Sequence, residues 1–318
     1  MVTHGDFSHA EASALLTALA ATVAQEESLR AIVIKGEGAV HHQLREPRAS
    51  GDVDLLVAPE DVDRLVARMG HLGWEPAPRS ELALAVIDHS TTLVHPDWPC
   101  TLDVHRRFPG LVAPAGDAMA AMWDEREAIL VAGVAVPIPS WRHAALILAA
   151  NTLRAGLTEP RDVAEIRYLR RAIQAAPPGA AAGIGPAAVT LGCDASLAPF
   201  LRSLGGETAR HAREARTGEQ ETEWWERVEA GGSMVAIERR HLQRARPRER
   251  VATAWRLVWP PLEELRLEHP DLTFDRWSAL AFRLRRIVRG FSDFRRSHNP
   301  RAKRDAETLE RVIGEQES

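Results

Sequence analysis

The segment Gly51–Ala58, GDVDLLVA, limits the possible folds more than any other stretch of the chain. Val53, Leu55, Leu56 and Val57 make it a short apolar strand. Asp52 and Asp54 stand two residues apart at its head, so an extended backbone projects both carboxylates from one face, about 7 Å apart at the Cα atoms. Two carboxylates that close repel each other and lose hydration at the end of a buried strand. Something cationic has to hold them. Mg²⁺ suits the task, being small and hard and binding one or two carboxylates together with phosphate oxygens. Taken alone, a D-x-D pair also fits the solvated edge of a loop.

The surrounding residues narrow the choice. An earlier β-branched run, AIVIKG, ends at Gly36, and Gly38 follows; with no Cβ at either, backbone N–H groups can approach a phosphate closely. Lys35 and Arg48 supply the positive charge a triphosphate requires. Only Lys35 and Lys303 are lysine in a chain whose other basic residues are arginine, so Lys35 marks either a site suited to a compact point charge or chance. Further on, TLDVH places Asp103 and His105 on one face of another strand. Three carboxylates from two adjacent strands form a clamp fit for phosphoryl or nucleotidyl transfer.

Helix and strand alternate through the first part. HAEASALLTALAATVA has Leu15, Leu16, Leu19 and Val23 at helical spacing, with Ser8 as a cap. PEDVDRLVARMGHLGW opens on Pro59, Glu60 and Asp61 as a helical first turn and carries Val62, Leu65, Val66 and Met69 on one stripe. LALAVIDHSTTLVHP predicts two extended segments around a polar turn. From Ser140, the cap expected for SWRHAALILAANTLRA, the patterns are helical and strand signals nearly cease. The boundary falls near residues 137–141, giving an α/β part (1–139) and a mainly helical part (140–318). AAPPGAAAGIGP, residues 175–186, predicts a loop or linker inside the second part.

These segments together resemble a known family. VIKGEGAV, then REPRASGDVDLLVAPEDVDRLVARMGHLGWEP, then TLDVHRRF, is similar to the uncharacterised bacterial nucleotidyltransferases of the NTP-transferase type, within the polymerase-β-like superfamily. The resemblance covers about Ala31 to Phe108, and more loosely residues 136–171. It implies a nucleotidyltransferase core with a mixed sheet. It places metal-binding, catalytic aspartates on Asp52 and Asp54, a third carboxylate on Asp103, and a phosphate-binding glycine on Gly36. The chain departs from the pattern in K-G-E-G, where Glu37 adds a negative charge, and in a longer interval from Gly36 to Asp52.

The implied activity is Mg²⁺-dependent (with Mn²⁺ an alternative) transfer of a nucleoside monophosphate from an NTP such as ATP to an acceptor hydroxyl, an EC 2.7.7 reaction. Asp103 draws the acceptor proton, while Lys35 and Arg48 offset charge on the phosphates. His105 either contacts a phosphate or the acceptor, as a nucleotide-binding residue, or orients Asp103. The acceptor is a small molecule, a peptide or protein hydroxyl, or a tRNA end. The competing classes are a nucleotide-binding regulatory module without turnover and a pure interaction protein.

Other features have plainer readings. Net charge is −4, which proposes no nucleic-acid or membrane partner. No apolar run approaches the roughly 20 residues of a membrane span, the N-terminus lacks a basic signal region, and Cys100 and Cys193 lie far apart in no metal-type spacing. A cytoplasmic home is expected; oligomeric state is not set by sequence. The arginine-rich stretch from Arg239 to Arg304 reads as a core-packing helix with a solvated basic face, or as a surface for a phosphate-rich acceptor. Trp224 and Trp225, like Trp255 and Trp259, are expected in a helical core. His41 and His42 read as a structural or solvated pair, or as residues approaching the ligand, and Asp162 as a first-turn helix acid or a contact to nucleotide or acceptor.

Overall fold

The computed structural model describes residues 8–48, 50–78, 89–213, 218–229, 231, 259, 261–262, 265, 275, 277–285 and 306–315. Helix α1 (His9–Glu26) starts at Ser8, whose hydroxyl accepts from the Glu11 backbone while the Glu11 carboxylate accepts from the Ser8 backbone, a reciprocal cap. Strand β1 (Ala31–Ile34) leads through Lys35 into the short helix α2 (Gly36–His41). Then come β2 (Asp52–Val57), α3 (Val62–Gly70), β3 (Glu75–Pro76), β4 (Ser90–Val94) and β5 (Thr101–His105). Pro59, Glu60 and Asp61 form a turn ahead of α3 rather than its first turn, and Asp61 Oδ2 accepts the Arg30 backbone N–H at 3.0 Å. Of the two segments expected in LALAVIDHSTTLVHP, the second is β4; most of the first lies outside the described residues.

The sheet is mixed, in the order β1-β2-β5-β4-β3. β2 runs antiparallel to β1 and parallel to β5, and β4 is antiparallel to both β5 and β3. The hairpin of β6 (Glu127–Val131) and β7 (Val134–Ile138) follows α4 (Ala115–Asp124). Thereafter the described residues form only helices and their connections: α5 (Trp141–Leu153), α6 (Pro160–Ala175) and shorter helices, with Ala306–Gly314 packing back onto α6. Ser140 precedes α5, but its hydroxyl meets His143 Nδ1 at 3.2 Å instead of capping the backbone.

Residues 175–186 are not a linker. Pro178–Ala182 and Ile184–Thr190 are helices. Pro178 occupies a first-turn position where its missing N–H costs nothing, and the alanines after it propagate the helix.

Side-chain alternation divides the sheet into two faces. Val53, Leu55 and Val57 share an interior with Leu16 of α1 and Leu65 and Met69 of α3. Ile32, Ile34 and Leu56 point the other way, into one interior with Leu146, Ile147 and Ile166 of the helical part. Asp52 and Asp54 belong to that second face, where α5 and α6 close over the sheet. Trp224 and Trp225 are buried in the same interior, their indoles donating to the Ser196 and Ala195 carbonyls. Trp255 and most of the arginine-rich stretch lie outside the described residues; within 277–285, Arg283 stacks over Trp259 at 5.0 Å.

Candidate active site

Parallel pairing sets Asp54 directly beside Asp103. Asp54 is buried, and its Oδ1 accepts from Lys35 Nζ at 2.6 Å and from His105 Nε2 at 2.9 Å. Burial pushes the Asp54 carboxyl up, but the His105 hydrogen bond and the Lys35 ammonium outweigh it and hold it below the usual range. Lys35 reaches this position from a left-handed backbone, φ 64°, between β1 and α2, and its ammonium also lies 5.7 Å from the centre of the Phe108 ring. An L-residue there stores strain of the kind found at functional sites. His105 thus bonds to an acid on the neighbouring strand, and its ring stacks on His89 at 6.1 Å.

Asp103 Oδ1 is buried without a hydrogen-bond donor, and His105 Nδ1 is buried without a partner. Ligand atoms of Asp54, Asp103 and His105 all lie within 4.8 Å of one another. Asp52 stands outside that group, two residues along β2, where its Oδ1 accepts from the Ser50 hydroxyl at 2.7 Å. A buried carboxylate oxygen with no donor beside a second carboxylate fits a divalent cation.

A cavity of about 310 Å³ opens next to these acids, lined by Gly36, Glu37, Arg48, Ser50, Asp52 and Asp54 among others. At Gly36 a Cβ would meet nothing within 4 Å, so that edge is open to a ligand; at Gly38 it would meet Ile138 Cγ2 at 3.1 Å, so Gly38 serves close packing. Arg48 lines this cavity while pairing with Glu165 of α6 at 3.1 Å. His42 donates to the Pro139 carbonyl at 2.9 Å, and neither His41 nor His42 lines the cavity.

Over residues 8–203, this chain matches the profile of a family described as uncharacterised nucleotidyltransferase. The chain belongs to that family. Among solved structures, the nucleotidyltransferase is similar to the antibiotic-resistance factor ANT(2'')-Ia at 16% identity, with a TM-score of 0.33, covering 58% of this chain and 85% of that one. No curated protein matches it. Among the described residues, no helix is long and apolar enough to cross a membrane.

Three further residues, linked to this group of acids through Arg154 or His105, carried no motif to announce them. Arg154, just past α5, and Arg227, on the helix Glu219–Glu229, approach from the helical part, and His89 precedes β4. Burial lowers the Arg154 guanidinium while the fields of Asp54 and Asp103 oppose it, which puts Arg154 within electrostatic reach of both acids. Burial pushes His89 down to about 3, helped by the charges of His105, Arg154, Arg107 and Arg227.

This burial makes stability depend on pH. An unfolded histidine titrates near 6.5, so between that value and about 3 the folded protein binds fewer protons at His89 than the unfolded chain. Stability from this group is complete above about pH 6.5 and falls as pH drops. Urea unfolding at pH 7 and pH 5 is expected to show a loss of about 2 kcal/mol attributable to this group. His89→Gln flattens that loss.

Proposed function

We propose that the protein is a Mg²⁺-dependent nucleotidyltransferase that moves a nucleoside monophosphate from an NTP to an acceptor hydroxyl. The observation that carries the reading is the pairing of Asp54 and Asp103 across two parallel strands, one with an unpartnered buried oxygen, beside a cavity that also holds Asp52. Asp52, Asp54 and Asp103 are the residues that would hold the cation. When bound, it supplies Lewis-acid stabilisation of charge on the phosphates.

The chain's own groups carry the remaining work. The acceptor oxygen forms a bond to the α-phosphorus as the bond to the bridging oxygen breaks, and pyrophosphate leaves with that electron pair. The acceptor proton passes to the Asp103 carboxylate and then to water. Lys35, held at the acids by Asp54, and Arg48, at the cavity wall, face the growing charge on the phosphates. His105 donates to Asp54 and fixes its orientation, while Gly36 leaves the cavity edge free for the triphosphate. In this reading the helical part, residues 140–318, helps to bind the acceptor.

Pyrophosphate release and label transfer from each of the four NTPs, with Mg²⁺ and a panel of hydroxyl acceptors, test the reading. Turnover is expected to need Mg²⁺ and to disappear in Asp52→Ala and Asp103→Ala. Full turnover in either variant, or without a divalent cation, overturns it. One observation favours a second reading: Asp54 is already neutralised by Lys35 and His105, as suits a module that holds a nucleotide without turning it over. That module would melt at higher temperature with NTP and Mg²⁺ yet release no pyrophosphate.

A further inference from the structure

A second cavity, of about 380 Å³, lies between α5, α6 and the end of helix Glu219–Glu229. Arg48 lines both this cavity and the one beside Asp52, so the two share a wall. Four arginines and three acids face it. The acids do not balance the arginines locally. Glu165 is held by Arg45 at 3.4 Å and Arg48 at 3.1 Å, and Glu159 is exposed at the start of α6. Only Asp162 remains for the inner wall, and burial followed by the charge of Glu165 raises its carboxyl, which weakens it as a counter-ion.

Arg154 and Arg227 stand on the opposite side. Among the described residues, neither guanidinium has a hydrogen-bonded or ion-paired partner, and Arg227 Nε is buried with no acceptor. Burial and then the positive charge of Arg154 push Arg227 down to about 10, against the weaker opposing field of Glu223. Two half-buried, like-charged forks with open donors are costly unless an anion completes them. Both forks line the same cavity.

Position decides which ligand this is. Arg154 lies within the fields of Asp54 and of Asp103, the acid assigned to the acceptor proton, and the phosphate-side groups Gly36 and Asp52 line the other cavity and not this one. We propose that the second cavity seats the acceptor, and that the acceptor carries an oxyanion, phosphate or carboxylate, held by Arg154 and Arg227 beside the hydroxyl to be modified. This rests on the assignment of nucleotidyl transfer to the acid site. A polycationic acceptor would meet two repelling guanidiniums here.

The test is calorimetric titration of the full chain, loaded with Mg²⁺ and a non-hydrolysable ATP analogue, with inorganic phosphate in one arm and acetate in the other. At least one anion is expected to bind the loaded protein, the better one naming the group. Arg154→Gln and Arg227→Gln are each expected to weaken that anion about tenfold or more, as loss of a hydrogen bond to a charged group does. Arg227→Lys keeps part of the affinity. Thermal melting checks the fold, which removal of a buried uncompensated charge should spare. The proposal is overturned if neither anion binds, if the glutamine variants bind it as the parent does, or if Arg227→Gln weakens the ATP analogue as much as the anion. That last result would make the cavity a triphosphate subsite. If no analogue of the four NTPs binds the parent protein, the transfer reading fails, and titration of the free protein still decides whether the two arginines form an anion seat.

Discussion

Asp54→Asn lowers pyrophosphate release on the order of 10³-fold and also destabilises the protein, two effects that a second substitution separates. Asp54 is the buried hub of the acid face, bonded to Lys35 and to His105 and set beside Asp103. An asparagine of the same shape leaves the Lys35 ammonium, only 12% exposed, without its counter-charge. Breaking a buried ion pair from one side costs about 3 kcal/mol. Replacing both members by uncharged groups of similar size is often neutral, so Asp54→Asn with Lys35→Met should regain most of that loss. Activity stays lost in the double variant, because the carboxylate is still missing. Urea unfolding and a pyrophosphate assay on the parent, the two single variants and the double variant check both halves. Recovery of activity along with stability would reduce Asp54 to a structural partner of Lys35.

The second large effect belongs to Gly156, in the corner after α5. Its φ is +69°, and a Cβ there would lie 2.5 Å from the Val228 carbonyl oxygen and 2.6 Å from Gly231 Cα. These are backbone atoms, which cannot swing aside as a side-chain tip can. Gly156→Ala therefore combines a left-handed backbone penalty with overpacking, about 3 kcal/mol in all. The residue pushed away sits next to Arg227, so the variant should disturb the second cavity as well as the fold. Gly133→Ala is the control: its φ is +81°, but nothing lies within 4 Å of the added methyl. It carries only the backbone penalty, about 1 kcal/mol. Equal melting temperatures for the two variants would remove the clash from the explanation.

Local chemistry made much of this protein legible in advance. The Ser8 cap, the stripe of α1, the β-branched run of β1 and the D-x-D strand β2 each depend on neighbours in sequence, and each took the conformation its pattern required. The mixed sheet came from family resemblance, since periodicity alone does not order strands. Residues 175–186 misled because Pro177, Pro178 and Gly183 look like breakers, although a proline in the first turn leaves the rest of a helix intact. In the site, the shared face of Asp52 and Asp54 was fixed by strand geometry. The His105 bond to Asp54 was not, because it crosses from β5 to β2 and depends on register. His89, Arg154 and Arg227 come from three separate elements, and only tertiary packing brings Arg154 into the field of the acids, His89 onto His105 and Arg227 near Arg154.

The oily side of the acid-bearing sheet has a consequence for how new specificities arise in such a protein. Ile32, Ile34 and Leu56 are completed by side chains of the helical part, and Arg154 arrives on the same support. Recombination cannot simply graft another helical half onto residues 1–139. An incoming segment would have to reproduce the apolar counterpart of those three residues and a correctly aimed guanidinium together. Divergence by substitutions within the existing roof is the easier path.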